Sequence, residues 1–216
     1  MKKINKEDLI TSLRNVLITL GPMAYEIINL YEKDGKRYSP ELDAEAMKSY
    51  IKKIEDFEEI KEAYFFLSLA YIEQGDPYEA LDILEDRMPK YWRGRWYYFL
   101  TGLAKIERGD FKNAIDDLFE YHRSAKLSRR SPDVYYWIGY ANYQLNNYFF
   151  AKGYFDLAIE RDPEFEEAYI ARGMTCLKLG EDENAKADFS MVLEINPDRV
   201  EAKEYLNLLS SSELKL

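Results

Sequence analysis

Tyr135-Tyr-Trp-Ile-Gly139-Tyr-Ala-Asn-Tyr-Gln-Leu-Asn146-Asn147-Tyr-Phe-Phe-Ala151-Lys-Gly-Tyr-Phe155 is one of four copies of a single pattern. The copies align on Ser68, Gly102, Gly139 and Gly173, evenly spaced except for a slightly longer second interval. A tyrosine stands four residues before each of these small residues: Tyr64, Tyr98, Tyr135 and Tyr169. A turn signal follows seven residues after: Gly75-Asp76, Gly109-Asp110, Asn146-Asn147 and Gly180-Glu181. Further on come an alanine (Ala80, Ala114, Ala151, Ala185) and, four residues later, a large apolar residue (Leu84, Leu118, Phe155, Phe189). Pro163 and Pro197, one period apart, close the last two copies.

Each copy reads as two helices joined by a tight turn. The aromatic, bulky and small residues share one face of the first helix, and the small residue lets a second helix approach closely. Gly, or Asn in its place, accepts the left-handed conformation that ends a helix. Ala and Phe or Leu four residues apart lie on one face of the second helix. Proline cannot continue the hydrogen-bond ladder and stops it. A hairpin of this kind leaves apolar surface on both sides and is stable only when stacked on neighbours.

These residues and offsets resemble the tetratricopeptide repeat, a helix-turn-helix unit of about 34 residues. The resemblance implies an all-α fold, an α-solenoid of helix-turn-helix repeats, that binds partners and does no chemistry. Repeats are expected at 61–94, 95–131, 132–165 and 166–197. A helical segment over 1–60 precedes them, and a C-terminal capping helix with a frayed tail occupies 198–216. Asn5 suits an N-cap, Leu9, Leu13, Val16, Leu17 and Leu20 recur at helical spacing, and Gly21-Pro22 separates that helix from the next. Residues 22–56 read either as a degenerate fifth hairpin, with Ala46 one period before Ala80 and Tyr50 four residues on, or as an unrelated helical segment. Several positions depart from the pattern. Ser68 replaces Gly, Arg87 falls where Ala158 falls, Arg172 takes an apolar slot, and the second copy has three extra residues before Pro132.

In this repeat family the first helices line a concave face, at positions three before, one after and four after the small residue. Here these are Phe65, Leu69, Ile72; Phe99, Leu103, Ile106; Tyr136, Tyr140, Tyr143; and Ile170, Met174, Leu177, with Trp96 at the flank. All twelve stripe residues are apolar or tyrosine, whereas an outward stripe on a soluble helix is normally polar. The expectation is a groove for an apolar or amphipathic segment of a protein partner. Filling by the Leu9–Leu20 helix, or closure by tight superhelical winding, would satisfy the same burial requirement. Chaperone-tail clamps of this family need Lys, Arg and Asn on the stripe, and none is present, so a bound carboxylate would lack a partner.

The chain has 40 acidic and 30 basic residues, and residues 131–216 carry 16 acidic against 8 basic. That balance argues against nucleic acid as the main partner. Two connections are nonetheless basic, with Lys90, Arg93 and Arg95 in one and Arg123, Lys126, Arg129 and Arg130 in the other. They read as solvated loop charges or as a docking edge for an acidic partner or another copy. Contact with RNA through this edge, with Trp92 and Trp96, is the most distant reading. His122 is the sole histidine, expected in a solvated loop, and Cys176 is the sole cysteine, expected as a small buried hydrophobe. No metal cluster, phosphate loop or catalytic triad is framed by the sequence, so neither enzyme nor cofactor is expected. No apolar run is long enough to span a bilayer, and no secretory signal opens the chain, which makes the cytoplasm the default compartment. The function expected is therefore that of a protein-binding adaptor, assembly factor or chaperone. The alternative is a structural subunit that contacts its assembly through edges and ends.

Overall fold

The structure, a computed structural model, describes residues 57–88, 90, 93–124 and 131–213. The expectations for Asn5, the Leu9–Leu20 helix and the 22–56 hairpin lie outside these residues, as does the 125–130 connection. Every regular element among the described residues is helical. The chain divides after Asp110 into two compact units.

The first unit holds α1 (Phe57–Gln74), α2 (Pro77–Leu81), a π-helical continuation (Asp82–Arg87) and α3 (Arg95–Arg108), with α2 packing on both α1 and α3. The second holds α4 (Phe111–Ser124), α5 (Pro132–Gln144), α6 (Tyr148–Arg161), α7 (Glu166–Leu179), α8 (Asp182–Ile195) and α9 (Val200–Glu213). In this unit each helix packs on the next, and α5 also touches α7. Within the units, α1 packs on α2, α5 on α6 and α7 on α8, as expected of three of the copies, and the fold is all-α and tetratricopeptide-like.

The turns form as their residues dictate. Gly75, Gly109 and Gly180 have φ of 76°, 82° and 74°, and Asn146 takes their place at 60°. In all four, the following N–H reaches a carbonyl five residues back: Asp76 to Tyr71, Asp110 to Lys105, Asn147 to Asn142 and Glu181 to Cys176, at 2.8–2.9 Å. This double closure satisfies carbonyls that would otherwise be orphaned at the helix end. At the opposite ends, Asp162 and Asn196 are extended, each just before a proline. The proline ring excludes its predecessor from helical angles. Ser131 caps α5, accepting from the Asp133 N–H, with Pro132 in the first turn.

Within a hairpin, the small residue and the ring four positions after the alanine meet. A Cβ built on Gly139 would lie 2.8 Å from Phe155 Cε1, and one on Gly173 would lie 2.8 Å from Phe189 Cε1. Both rings are fully buried, as are Ala151 and Ala185. Burying each ring stabilises the unit by on the order of 2–3 kcal/mol. Ser68, also fully buried, is matched in the sequence with the smaller Leu84 instead of Phe, and its hydroxyl donates to the Tyr64 carbonyl at 2.8 Å.

The other departures have local causes. Arg87 occupies an alanine position, yet it is exposed and paired with Asp82 at 2.6 Å. The π-helical stretch widens the turn, with the Met88 N–H bonding the Ile83 carbonyl at 2.9 Å, and brings Met88 into the core in place of Arg87. Arg93 donates at 2.6 Å to the Glu85 carbonyl, while Lys105 of α3 holds the Glu85 carboxylate at 3.0 Å. At the C-terminus, α9 runs through Ser210–Ser212 to Glu213, where fraying was expected from Ser210. Ser210 donates back to the Leu206 carbonyl at 2.9 Å, so its hydroxyl does not compete with the helix. Tyr205 stacks on Phe189 at 4.6 Å, and Ala202 and Leu209 are buried, so α9 covers the end of the hairpin formed by α7 and α8.

Arg172, in its apolar slot, is the centre of an ion triad. Its Nε and Nη2 fork Asp188 at 3.0 and 2.6 Å, and Nη1 reaches Asp156 at 2.6 Å, so three helices are tied at one guanidinium. Burial works against the Arg172 charge, but the bonds and attraction of Asp188 and then Asp156 hold its pKa above the ordinary arginine value. Burial pushes the Asp188 carboxyl up, and the Arg172 fork opposes this without cancelling it.

Two outcomes follow from these contacts. Gly173→Ala should destabilise the protein by about 1–3 kcal/mol in urea melts, although alanine is the better helix former. Adding Phe189→Leu should recover part of the loss, because a smaller side chain makes room; a neutral Gly173→Ala would remove the close-contact explanation. Arg172→Met should cost about 3 kcal/mol at pH 7.5, because it leaves Asp188 buried and unpaired. A carboxyl whose pKa is raised on folding binds a proton that the unfolded chain has released. The penalty therefore appears as pH rises through the folded value and fades as pH falls toward the unfolded one. The Arg172→Met deficit should accordingly shrink at pH 4.5, and a pH-independent deficit would contradict the assignment.

Candidate functional site

The expected stripe splits into two parts of different character. In the first unit Phe65, Leu69 and Ile72 of α1, and Phe99, Leu103 and Ile106 of α3, are all buried in the chain itself. Trp96, half-buried at the start of α3, meets the Phe99 ring edge-on at 6.1 Å. A uniform outward stripe at i, i+4 and i+7 would leave such residues wet, so these six serve the core of this unit.

In the second unit Tyr136 and Ile170 are likewise buried, Tyr136 with its ring 5.8 Å from Phe155 and 5.3 Å from Phe165. Further along the same helices Tyr140, Tyr143, Met174 and Leu177 are half-buried. Tyr140 leans on Trp137 and Phe111, and Tyr143 on Tyr148, all in edge-to-face contacts. Burial pushes the Tyr143 phenol up, with smaller contributions from Tyr148 and Tyr205. One position of the same register escaped the sequence reading: Leu208 of α9, one repeat period after Met174 and 64% exposed. The period could have found it, had the capping helix been aligned with the repeats.

The start of this face is acidic and internally tied. Arg199, between α8 and α9, lies 3.4 Å from Glu167, 3.5 Å from Glu166 and 3.8 Å from Glu201. Asn196 donates to Glu166 at 3.1 Å. On α6, Lys152 bridges to Glu181 in the turn after α7; that bond holds the lysine above and the glutamate below their ordinary pKa values.

The basic positions are dispersed in role. Lys90 is exposed, Arg93 is committed to Glu85 and lies 4.9 Å over the Tyr97 ring, and Arg95 lies 4.9 Å over Trp96. Arg123 is exposed and pairs with Glu120 at 2.6 Å. Lys126, Arg129 and Arg130 lie outside the described residues. His122 sits in the last turn of α4, where a loop was expected, half-buried with its ring 5.2 Å from Tyr135. Cys176 is buried, and burial, first among the causes, pushes its thiol up to about 11. Among the described residues no group of three or more His, Cys, Asp and Glu is placed to hold a metal ion, and no helix is long and apolar enough to cross a membrane.

That burial makes Cys176 a reporter of unfolding. At pH 8 it should react with a thiol reagent at least tenfold more slowly than a free cysteine peptide, reaching the peptide rate in denaturant. Equal rates in buffer would show that the α7 face is open.

The tetratricopeptide repeat family model matches residues 132–165 and 166–199, in register with α5–α6 and α7–α8. Among curated proteins no relative matches the sequence. Among solved structures, MamA is similar with a TM-score of 0.60 and 18% identity, over 68% of this chain and 84% of its own. YrrB, described as a TPR protein with an unusual peptide-binding site, is similar with a TM-score of 0.59 and 19% identity, over 79% and 85%. The first TPR of Spaghetti (RPAP3), bound to the HSP90 peptide SRMEEVD, is similar with a TM-score of 0.52 and 23% identity, over 56% and 93%. These structural likenesses carry the fold, and residues 132–199 match the tetratricopeptide repeat model as two consecutive repeats.

Proposed function

We propose that the chain is a non-catalytic protein-binding module, an adaptor, assembly factor or chaperone of the cytoplasm, that takes an apolar or amphipathic segment on its second unit. The observation that carries this reading is a set of apolar side chains at repeat-equivalent positions, half-buried at Tyr140 and Tyr143 on α5 and at Met174 and Leu177 on α7, and exposed at Leu208 on α9. Tyrosine suits such a face, because it offers large contact area and a hydroxyl that tolerates water between engagements. YrrB and the Spaghetti domain bind peptides, which supports the same use of the fold here. An acidic peptide such as SRMEEVD is a poor fit, since the stripe itself carries no basic residue and Arg199 beside it is already shared among Glu166, Glu167 and Glu201. A segment of apolar residues flanked by Lys or Arg fits better.

The first unit supports a different role for its share of the stripe. Phe65, Leu69, Ile72, Phe99, Leu103 and Ile106 are already buried, which favours the structural-subunit reading for that unit, with contacts made through edges such as Lys90 and Arg95.

The test separates the two. Tyr140→Asp with Met174→Glu should change stability by no more than about 1 kcal/mol, because both sites are partly wet. The variant should nevertheless lose a partner that the wild-type chain captures from its source cells, since the complex would desolvate two unpaired carboxylates. Leu103→Glu, at a buried site, should destabilise the free protein by about 2–4 kcal/mol. A Tyr140→Asp/Met174→Glu chain that melts early and captures as before would sink the groove.

A further inference from the structure

The outer face of α6 carries a second apolar surface that the repeat pattern does not require. Phe149 and Phe150, in the first turn, are 82% and 68% exposed, and Leu157 is 38% exposed. Phe150, Tyr154 and Leu157 form one i, i+4, i+7 stripe, and Phe119 of α4, 41% exposed, meets Tyr154 edge-on at 6.1 Å. The aligned positions in neighbouring repeats are polar where α6 is aromatic. Phe149 aligns with Lys112 and Glu183, Phe150 with Asn113 and Asn184, and Tyr154 with Asp117 and Asp188. The repeat architecture therefore works with polar side chains at these positions, and the aromatic residues serve something else. At about 200 Å² per aromatic side chain, the exposed fractions amount to roughly 400 Å², the size of patch that marks an interaction site on a monomer.

We infer that this face is a self-association surface, and that its occupant is the same face of a second copy of this chain. Area and charge both point there. A stable interface needs about 800 Å² from each partner, more apolar at its centre than at its rim. An apolar centre of roughly 400 Å² with its polar surround meets that requirement when two copies meet face to face. The rim mixes both signs: Glu120 pairs with Arg123, Lys152 pairs with Glu181, Asp156 shares Arg172 with Asp188, and Lys112, Asp116, Glu160 and Arg161 are exposed, so no strong field of one sign selects a highly charged partner. A second copy brings the same mixed rim, in which either sign can find its opposite across a two-fold axis. Each chain still has a net charge of −10, so long-range repulsion opposes the pair and salt relieves it.

The experiment is sedimentation of the full chain from about 1 to 200 µM, at low salt and at 0.5 M salt. The wild type should pass from monomer to dimer over this range, with the dimer strengthened by salt. Phe149→Lys with Phe150→Asn, the residues carried at those positions in the preceding repeat, should weaken the dimer at least tenfold and leave the helical circular dichroism unchanged. Leu157→Glu, matching Glu120, should do the same. Tyr140→Asp should leave the dimer intact, which separates this surface from the groove. A wild type that stays monomeric at 200 µM overturns the inference, whatever else covers the face. So does a dimer that ignores the Phe149/Phe150 and Leu157 variants, or one that weakens with salt, as a contact through Lys90 and Arg95 would.

Discussion

At Gly139 and Gly173 there is no space for even one more carbon, because the rings of Phe155 and Phe189 already fill the volume a Cβ would need. This approach fixes the distance between the two helices of each hairpin, and with it the position of everything that follows. The alanines at Ala151 and Ala185 can then be fully buried, and the next helix finds a formed surface to pack on. A repeat cannot bury its apolar faces alone, so a hairpin set to one spacing dictates the spacing of its neighbour. Where Ser68 stands in place of glycine, the side chain is fully buried and its hydroxyl is spent on the Tyr64 carbonyl.

The hairpins were legible because their signals are local. Four left-handed residues, two prolines and a run of small-plus-large pairs each act within a few residues of where they are read, and each appears in the structure where its chemistry places it. Arg172 was legible as an exception but not in its purpose, since its partners lie 16 residues away on either side. Arg87 was a conflict that only an added residue per turn resolves, and nothing in the sequence announces a π-helical stretch before it is seen.

The binding face was half legible, for a physical reason. Spacing of i, i+4 and i+7 shows that apolar residues share a side of a helix, but carries no information on whether that side is covered. Leu103 and Met174 occupy equivalent positions of similar polarity, and one is buried while the other is half-exposed. The outer aromatics escaped notice in a different way. Phe149 and Phe150 stand between the Asn146-Asn147 turn and Ala151, so they read as part of the repeat signal they adjoin.

The ion pairs of the second unit are unevenly distributed. Lys152 to Glu181 and Asp156 to Arg172 cross from one hairpin to the next, and Arg199 ties the α8–α9 connection back to Glu166 and Glu167; apart from the Arg172 fork on Asp188, what holds a hairpin together is close steric contact. Close packing resists deformation steeply over fractions of an ångström, while partly solvated charges yield gradually and are screened by salt. The second unit thus resembles a row of rigid plates joined by softer springs. Under tension along the row, the joints should stretch before the plates come apart, and their stiffness should follow the ionic strength around them.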